Sequence, residues 1–334
     1  MKKIAIFLLI LFNFFGCMLL GENYTALAAE QASYERVVII SDAHYPTKIS
    51  ETENPKAFLS HVDKKLKAAD TINSWKDVSL VVFTGDLIAR LPSEKSLNNA
   101  RQFYDWITQP KTAIAGNHEF FYAPEMKNGK QQTASTEQRR QNLRNFKETF
   151  DLPNLYFTKN LGGYLLVFLS PDAVHGKYKV EMSQNQLQWL EKTLQANAAT
   201  PTLIFYHAPL VGTLDTYYKG INSLGNTAQP AGELERILMN SPQVILWVSG
   251  HTHTPAVNPS FASPVNYYHG RILDIHNSTM EDDTIWTNSL YLHPNKIVIQ
   301  TFNHQTGEIE DALTRTIDVH RRLQWLQSAE NKAA

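Results

Sequence analysis

Five short blocks in this chain are built from side chains that hold divalent cations. They are Asp42-Ala43-His44, Gly85-Asp86, Gly116-Asn117-His118-Glu119, a solitary His207, and Gly250-His251-Thr252-His253. Carboxylate, amide and imidazole groups offer a mixed oxygen and nitrogen donor set, which suits Mn, Fe or Zn. Together they supply enough ligands for two ions sharing one carboxylate, the apparatus of phosphoester hydrolysis. Two neighbouring divalent ions repel, so negative charge must lie between them. Asp42 and His44 stand two apart, as do His251 and His253. At a strand end, residues i and i+2 project to the same side.

Each block follows an apolar run that reads as a strand: residues 35–41, 80–84, 112–115, 202–206 and 244–249. These runs are apolar on both faces, as expected for strands buried inside a layered sheet. Helical spacing falls between them, at Phe58, Leu59, Val62, Leu66 and Ala69, and at Leu143, Phe146 and Phe150. It recurs at Leu187, Leu190 and Leu194, with Ser183 as the N-cap. Strand–helix alternation predicts an α/β fold with loops at the strand carboxyl ends carrying the chemistry. The blocks run from residue 42 to 253 and must meet at one point, so one domain, residues 33–320, spans them. Residues 271–275, 285–292, 297–302 and 313–319 read as further strands that complete a second sheet, and residues 321–334 as a closing tail or helix. Residues 120–140 are polar and irregular, with Pro124 and Gly129; they read as a loop, either a lid over the site or a solvated insertion.

The order D-x-H, GD, GNH[DE], H, GHxH resembles the calcineurin-like metallophosphoesterase superfamily over residues 36–255. The resemblance implies a four-layer αββα sandwich, with two mixed β-sheets flanked by helices. It implies that Asp86 bridges two divalent metal ions. Asp42, His44 and His253 would hold one ion, and Asn117, His207 and His251 the other. His118 would hold no metal but face the substrate as general acid, a role suited to a near-neutral pKa. Hydrolysis would use a metal-activated hydroxide, with a small phosphoester, nucleotides included, as substrate. His207 lacks a flanking motif beyond Tyr206 and Ala208-Pro209, so a buried structural histidine is its alternative. Glu119 either orients this loop or is a solvated acid.

The branch is less sharply marked. Purple acid phosphatases carry a tyrosine three residues after the GD aspartate, where this chain has Ala89. Protein Ser/Thr phosphatases read GDxVDRG; here Ala89 and Leu91 depart from it and Arg90 agrees. Exported 5′-nucleotidases read GNHEFDYG, from which Phe121-Tyr122-Ala123 departs. What remains is the group of small bacterial phosphoesterases, cyclic-nucleotide phosphodiesterase-like members among them. A non-catalytic metal-binding scaffold of the same fold is the alternative function, although no expected ligand is missing.

The chain has 31 Lys and Arg against 32 Asp and Glu, and no long basic run, so bulk electrostatics give no support for nucleic-acid binding. Its amino end reads as a cleaved signal peptide, residues 1–28: Lys2 and Lys3, an apolar run over 4–20, then a small-residue site at 25–29. Export to the cell envelope or beyond, with no membrane span in the mature chain, is the expectation. An uncleaved anchor or lipid attachment at Cys17 are the alternatives. Cys17 is the sole cysteine, so a mature chain lacking residues 1–28 forms no disulfide.

Overall fold

The structure is a computed structural model that describes residues 34–319. The signal-peptide reading and the closing tail or helix of 321–334 fall outside these residues. In chain order the elements are β1 (Glu35–Ile40), α1 (Pro55–Ser74), β2 (Val78–Phe83), α2 (Glu94–Trp106) and β3 (Lys111–Ala113). There follow α3 (Asn117–Phe120), α4 (Thr136–Thr149), β4 (Phe157–Leu161), β5 (Tyr164–Phe168) and α5 (Gln184–Ala196). Next come β6 (Thr202–Phe205), α6 (Ala231–Met239), β7 (Val244–Ser249), β8 (Tyr267–Tyr268) and β9 (Ile272–His276). The chain then runs through β10 (Trp286–Leu292), β11 (Lys296–Asn303), β12 (Glu308–Ile309) and β13 (Arg315–Asp318).

Two mixed sheets result. The first is ordered β12-β11-β10-β1-β2-β3, with β13 also on β11; the second is β4-β5-β6-β7-β9-β8. Alternation along β1 shows why its run is apolar throughout. Val37 and Ile39 pack between the sheets against Leu166, Phe168, Leu203, Phe205 and Val248. Val38 and Ile40 face the other way, onto Ala69 and Ile72 of α1 and Phe103 of α2. The second sheet repeats the device: Leu166 and Phe168 point inward, while Leu165 and Val167 meet Leu187 and Leu190 of α5. A two-residue period with both faces buried gives helix, sheet, sheet, helix, the four-layer αββα sandwich expected.

The helix caps follow the sequence. Ser183 accepts from the Gln186 amide, as its position predicts. Ser135 and Gln138 close a reciprocal capping box at the start of α4. That box corrects the reading of 120–140 as irregular: α4 begins at Thr136, and only residues 121–135 form a loop. A narrow hairpin lies within it, marked by the Tyr122–Thr133 and Lys127–Lys130 bridges.

The tail also departs from expectation. Its strands divide: β9 extends the second sheet beside β7, while β10 pairs antiparallel with β1 and carries β11 and β13 into the first. The second sheet instead gains β4 and β5, an antiparallel hairpin turned at Gly162-Gly163. That glycine pair between two strand runs is a hairpin signal the sequence carries. No helix among the described residues is long and apolar enough to cross a membrane.

The topology decides where chemistry can sit. β1, β2 and β3 are mutually parallel, and so are β6 and β7. All five expected blocks therefore leave their sheets at strand carboxyl ends, where loops from both sheets converge.

Candidate metal centre

All seven expected donor residues meet in one cluster. Ligand atoms of Asp42, His44, Asp86 and His253 lie within 4.8 Å of one another, as do those of Asp86, His207 and His251. Asp86 belongs to both groups. Asn117 joins the second group through its Oδ1, 3.3 Å from His207 Nε2. The first sheet supplies Asp42, His44, Asp86 and Asn117, and the second supplies the three remaining histidines. His207 is fully buried and points into the cluster, 3.3 Å from Asp86 Oδ2, so it is no isolated core histidine.

Backbone conformation turns these side chains inward. Asp42, His44, Asp86, His251 and His253 all have positive φ, five of the eight non-glycine residues that do among the described residues. Such residues cost about 1–3 kcal/mol each and persist only where surrounding contacts impose them. Gly85 takes φ +96, and a Cβ there would lie 2.6 Å from His207 Nδ1 and 2.8 Å from the Gly116 nitrogen. The closeness of these loops thus requires glycine at the head of the GD block.

The imidazoles are oriented from behind. His44 Nδ1 lies 3.1 Å from the Ile88 carbonyl, and His207 Nδ1 2.8 Å from that of Thr84. His251 Nε2 lies 3.3 Å from the Gly225 carbonyl. A carbonyl only accepts, so each of these nitrogens carries the proton and the opposite nitrogen faces the cluster. The facing nitrogens crowd: His44 and His253 Nε2 are 3.2 Å apart, and His207 Nε2 is 3.1 Å from His251 Nδ1. Converging lone pairs and two buried carboxylates fit a pair of divalent ions, with carbonyls fixing the tautomers behind them.

The titration of the cluster carries the same message. Burial alone would raise Asp42 and Asp86. The imidazoles of His253 and His207 outweigh it for Asp42, and His207, His118 and His44 outweigh it for Asp86, holding both carboxyls below their ordinary range. Burial favours a neutral His207, yet the charge and hydrogen bond of Asp86 push it up to about 9. Burial, with the nearby Lys48 and Lys179 respectively, holds His44 and His251 well below theirs. A proton on His207 therefore answers part of the negative charge that a cation would answer in full.

His118 stands apart from this set. Its Nδ1 donates to the Arg90 carbonyl at 2.6 Å, its backbone nitrogen donates to Asp86 Oδ1 at 2.8 Å, and its Nε2 lies 3.8 Å from Asp86 Oδ2. Burial depresses the ring below its ordinary value. Its neighbour Glu119 is a buried clamp, not a solvated acid. The carboxylate accepts from the amides of Asp86, Ile88 and Gly116 at 2.9, 2.9 and 2.7 Å, joining the second and third blocks. Burial and the charge of Asp86 push Glu119 up to about 7, against the pull of those donors.

A second clamp was not expected. Lys65 of α1 is fully buried and donates to the carbonyls of His44 and Pro46 at 3.2 and 3.0 Å, and to Glu281. Burial brings it down to about 8 against the opposing charge of Glu281. Glu281 also accepts from Thr47 Oγ1 and the Lys48 amide, while Thr279 Oγ1 donates to the Asp42 carbonyl. One signal for Lys65 was present: it lies three, four and seven residues before Ala68, Ala69 and Ile72, on the helix face that is buried. The 121–135 loop touches the site lightly, through Gln131 Nε2 on the Arg90 carbonyl and the Tyr122 ring 5.4 Å from His118. Arg90 donates to the Lys48 carbonyl at 2.6 Å.

Comparison with known proteins agrees with this geometry. The calcineurin-like phosphoesterase family profile matches residues 35–255, and the chain belongs to that family. Among solved structures, a dimetal phosphatase from Danio rerio superposes with a TM-score of 0.56 at 16% identity, over 85% of this chain and 99% of that one. A purple acid phosphatase from yellow lupin (Lupinus luteus) seeds superposes with a TM-score of 0.59 at 15% identity, over 88% of this chain and 55% of that one. Both are shared folds; Ala89 still stands where purple acid phosphatases carry tyrosine. No functionally curated protein matches the sequence. The chain is thus a phosphoester hydrolase of the calcineurin-like family.

Replacing Glu119 by alanine leaves three buried amides without an acceptor. Each such loss costs about 1–3 kcal/mol, so Glu119→Ala should lose about 3 kcal/mol or more in urea denaturation. A stability equal to that of the parent would remove the clamp from this account.

Proposed function

We propose that this protein hydrolyses small phosphoesters, as a phosphatase or phosphodiesterase, at a dinuclear divalent metal centre bridged by Asp86. The observation that supports this most is the membership of Asp86 in both donor groups. On this reading Asp42, His44 and His253 hold one ion, and Asn117, His207 and His251 the other. Mn, Fe and Zn are the metals this donor set suits. The bound pair would neutralise charge on the phosphoryl oxygens and lower the pKa of water to near neutrality.

The chain's own residues carry the remaining work. Asp86 is pinned by the His118 amide, so its carboxylate cannot swing away from either group. Glu119 holds the GD and GNHE loops at fixed spacing, and Lys65 fixes the carbonyl of His44. His118 keeps one proton on Nδ1 through the Arg90 carbonyl and directs Nε2 at the site. Burial lowers its proton affinity, and an anionic phosphoryl group beside Nε2 raises it again. Substrate thereby charges the residue that hands a proton to the leaving oxygen.

With Mn²⁺ added, the protein should hydrolyse p-nitrophenyl phosphate, its bis ester, or both, and a chelator should abolish turnover. Substituting His118→Asn should leave the metal content intact and lower kcat by ~10²–10⁴-fold for an alkyl ester whose leaving group needs a proton. The deficit should shrink for p-nitrophenolate, which departs without one. Metal loss in this variant would place His118 among the ligands, and equal deficits for both leaving groups would remove the proton transfer.

We also propose that the protein is exported after removal of residues 1–28. Intact mass of the secreted product should correspond to a chain beginning near Ala29. A secreted chain that retains residues 4–20 contradicts this.

A further inference from the structure

The segment from Asp274 to Met280 is buried yet largely polar. Asp274, His276, Asn277, Ser278 and Thr279 are each at most 3% exposed. A buried polar group costs free energy unless it is hydrogen-bonded. These five side chains spend their bonds on the loops that carry metal donors. The segment lies beyond residues 35–255, where the family profile matches. β9 belongs to the second sheet and β10 to the first, so the chain crosses from one sheet to the other here.

Its two ends hold different donors. Asp274 accepts from the Leu210 amide at 2.8 Å, shortly after His207, and from Ser249 Oγ at 2.7 Å, shortly before His251. His276 Nε2 donates to the Thr213 carbonyl at 2.9 Å, further along the loop that leaves His207. Asn277 Nδ2 donates to the Ser249 carbonyl, and the Gly250 amide to the His207 carbonyl, both at 2.8 Å. Asp274 thus fastens the His207 loop to the His251 loop, as Glu119 fastens the second block to the third. At the other end, Thr279 Oγ1 and the Met280 amide donate to the Asp42 carbonyl at 2.9 and 3.2 Å. Asp42 has φ +47, a conformation that persists only where contacts impose it. Ser278 Oγ donates to the Thr254 carbonyl at 3.2 Å, directly after His253.

We propose that residues 274–280 position the two halves of the donor set independently. Asp274 sets the metal affinity of the half with His207 and His251, and Thr279 that of the half with Asp42, His44 and His253. Neither residue holds metal; each acts through the backbone of a loop that does. This rests on the dinuclear reading above and names what tunes each ion. Partners that orient metal ligands from behind are worth ~10–100-fold in metal affinity. A merely structural role would loosen both halves together, whereas separate anchoring loosens one at a time.

The test uses the full chain and the variants Asp274→Ala, Asp274→Asn, Thr279→Val and Thr279→Ser. Mn²⁺ binding is measured calorimetrically, and anomalous diffraction from crystals soaked at low Mn²⁺ shows which site empties. Asp274→Ala should weaken the ion at Asn117, His207 and His251 by ~10–100-fold and the other by less than about threefold. Thr279→Val, which removes the hydroxyl at nearly constant volume, should do the reverse by about tenfold. Asp274→Asn keeps one acceptor and Thr279→Ser keeps the hydroxyl, so each should recover part of the loss. If Asp274→Ala fails to fold, Asp274→Asn should show the same bias at smaller size. Equal weakening of both ions, weakening of the opposite ion, or unchanged affinity for both would each overturn the proposal. A parent that binds fewer than two ions removes the dinuclear reading instead, and amide exchange in the metal-free protein still judges the segment. Asp274→Ala should then speed exchange at Gly250, whose amide bonds the His207 carbonyl, and spare the Asp42 and His44 amides, which bond Gly85 and Asp86. Thr279→Val should do the converse, and faster exchange at both places in either variant overturns the proposal.

Discussion

The structure is organised around one electrostatic constraint: two buried carboxylates and four imidazoles aim their donor atoms at the same small volume. In the interior such an arrangement is stable only with positive charge among the donors. A proton on His207, favoured by the charge of the Asp86 carboxylate, answers a little of it. Much of the surrounding architecture holds the donors in place against their repulsion. Five of them sit on backbone with positive φ, at about 1–3 kcal/mol each, an appreciable part of a typical folding free energy of about 5–15 kcal/mol. The Glu119 clamp on three amides and the Lys65–Glu281 clamp on the first loop offset that strain.

The two sheets contribute unequally, and the division explains why their mutual packing matters to function. Asp86 comes from the first sheet and its closest imidazole, His207, from the second. The distance between them is set by the layer of Val37, Ile39, Leu203 and Phe205 between the sheets, and by Gly85, whose missing side chain lets the loops meet. A shift of that layer would move the donors of one sheet against those of the other. Core packing and site geometry are therefore one problem in this fold.

The sequence was most legible where chemistry and periodicity coincide. The strand ahead of each block, the seven donors and the three helices with clear apolar spacing all fall where the pattern puts them. The misses have physical causes. The tail strands alternate without showing which sheet they join, because pairing is decided by long-range packing and not by local pattern. β4 is a polar edge strand, with Thr158, Lys159 and Asn160 exposed, so its own residues announce little. α6 spans only nine residues, and the apolar stripe of α2 at Leu97, Ala100, Phe103 and Tyr104 was not picked out. Glu119 stayed open between orienting its loop and standing solvated, and Lys65 was not singled out, for a shared reason: composition treats a charge as solvated, while the fold buries each to satisfy backbone groups that are themselves invisible in the sequence.

The central claim is that two ions share Asp86. Anomalous diffraction from crystals soaked in Mn²⁺ tests it most directly. The account predicts two anomalous peaks about 3.5–4 Å apart, with the Asp86 carboxylate between them, Asp42, His44 and His253 on one, and Asn117, His207 and His251 on the other. A single peak, or two peaks of which Asp86 touches at most one, would contradict it.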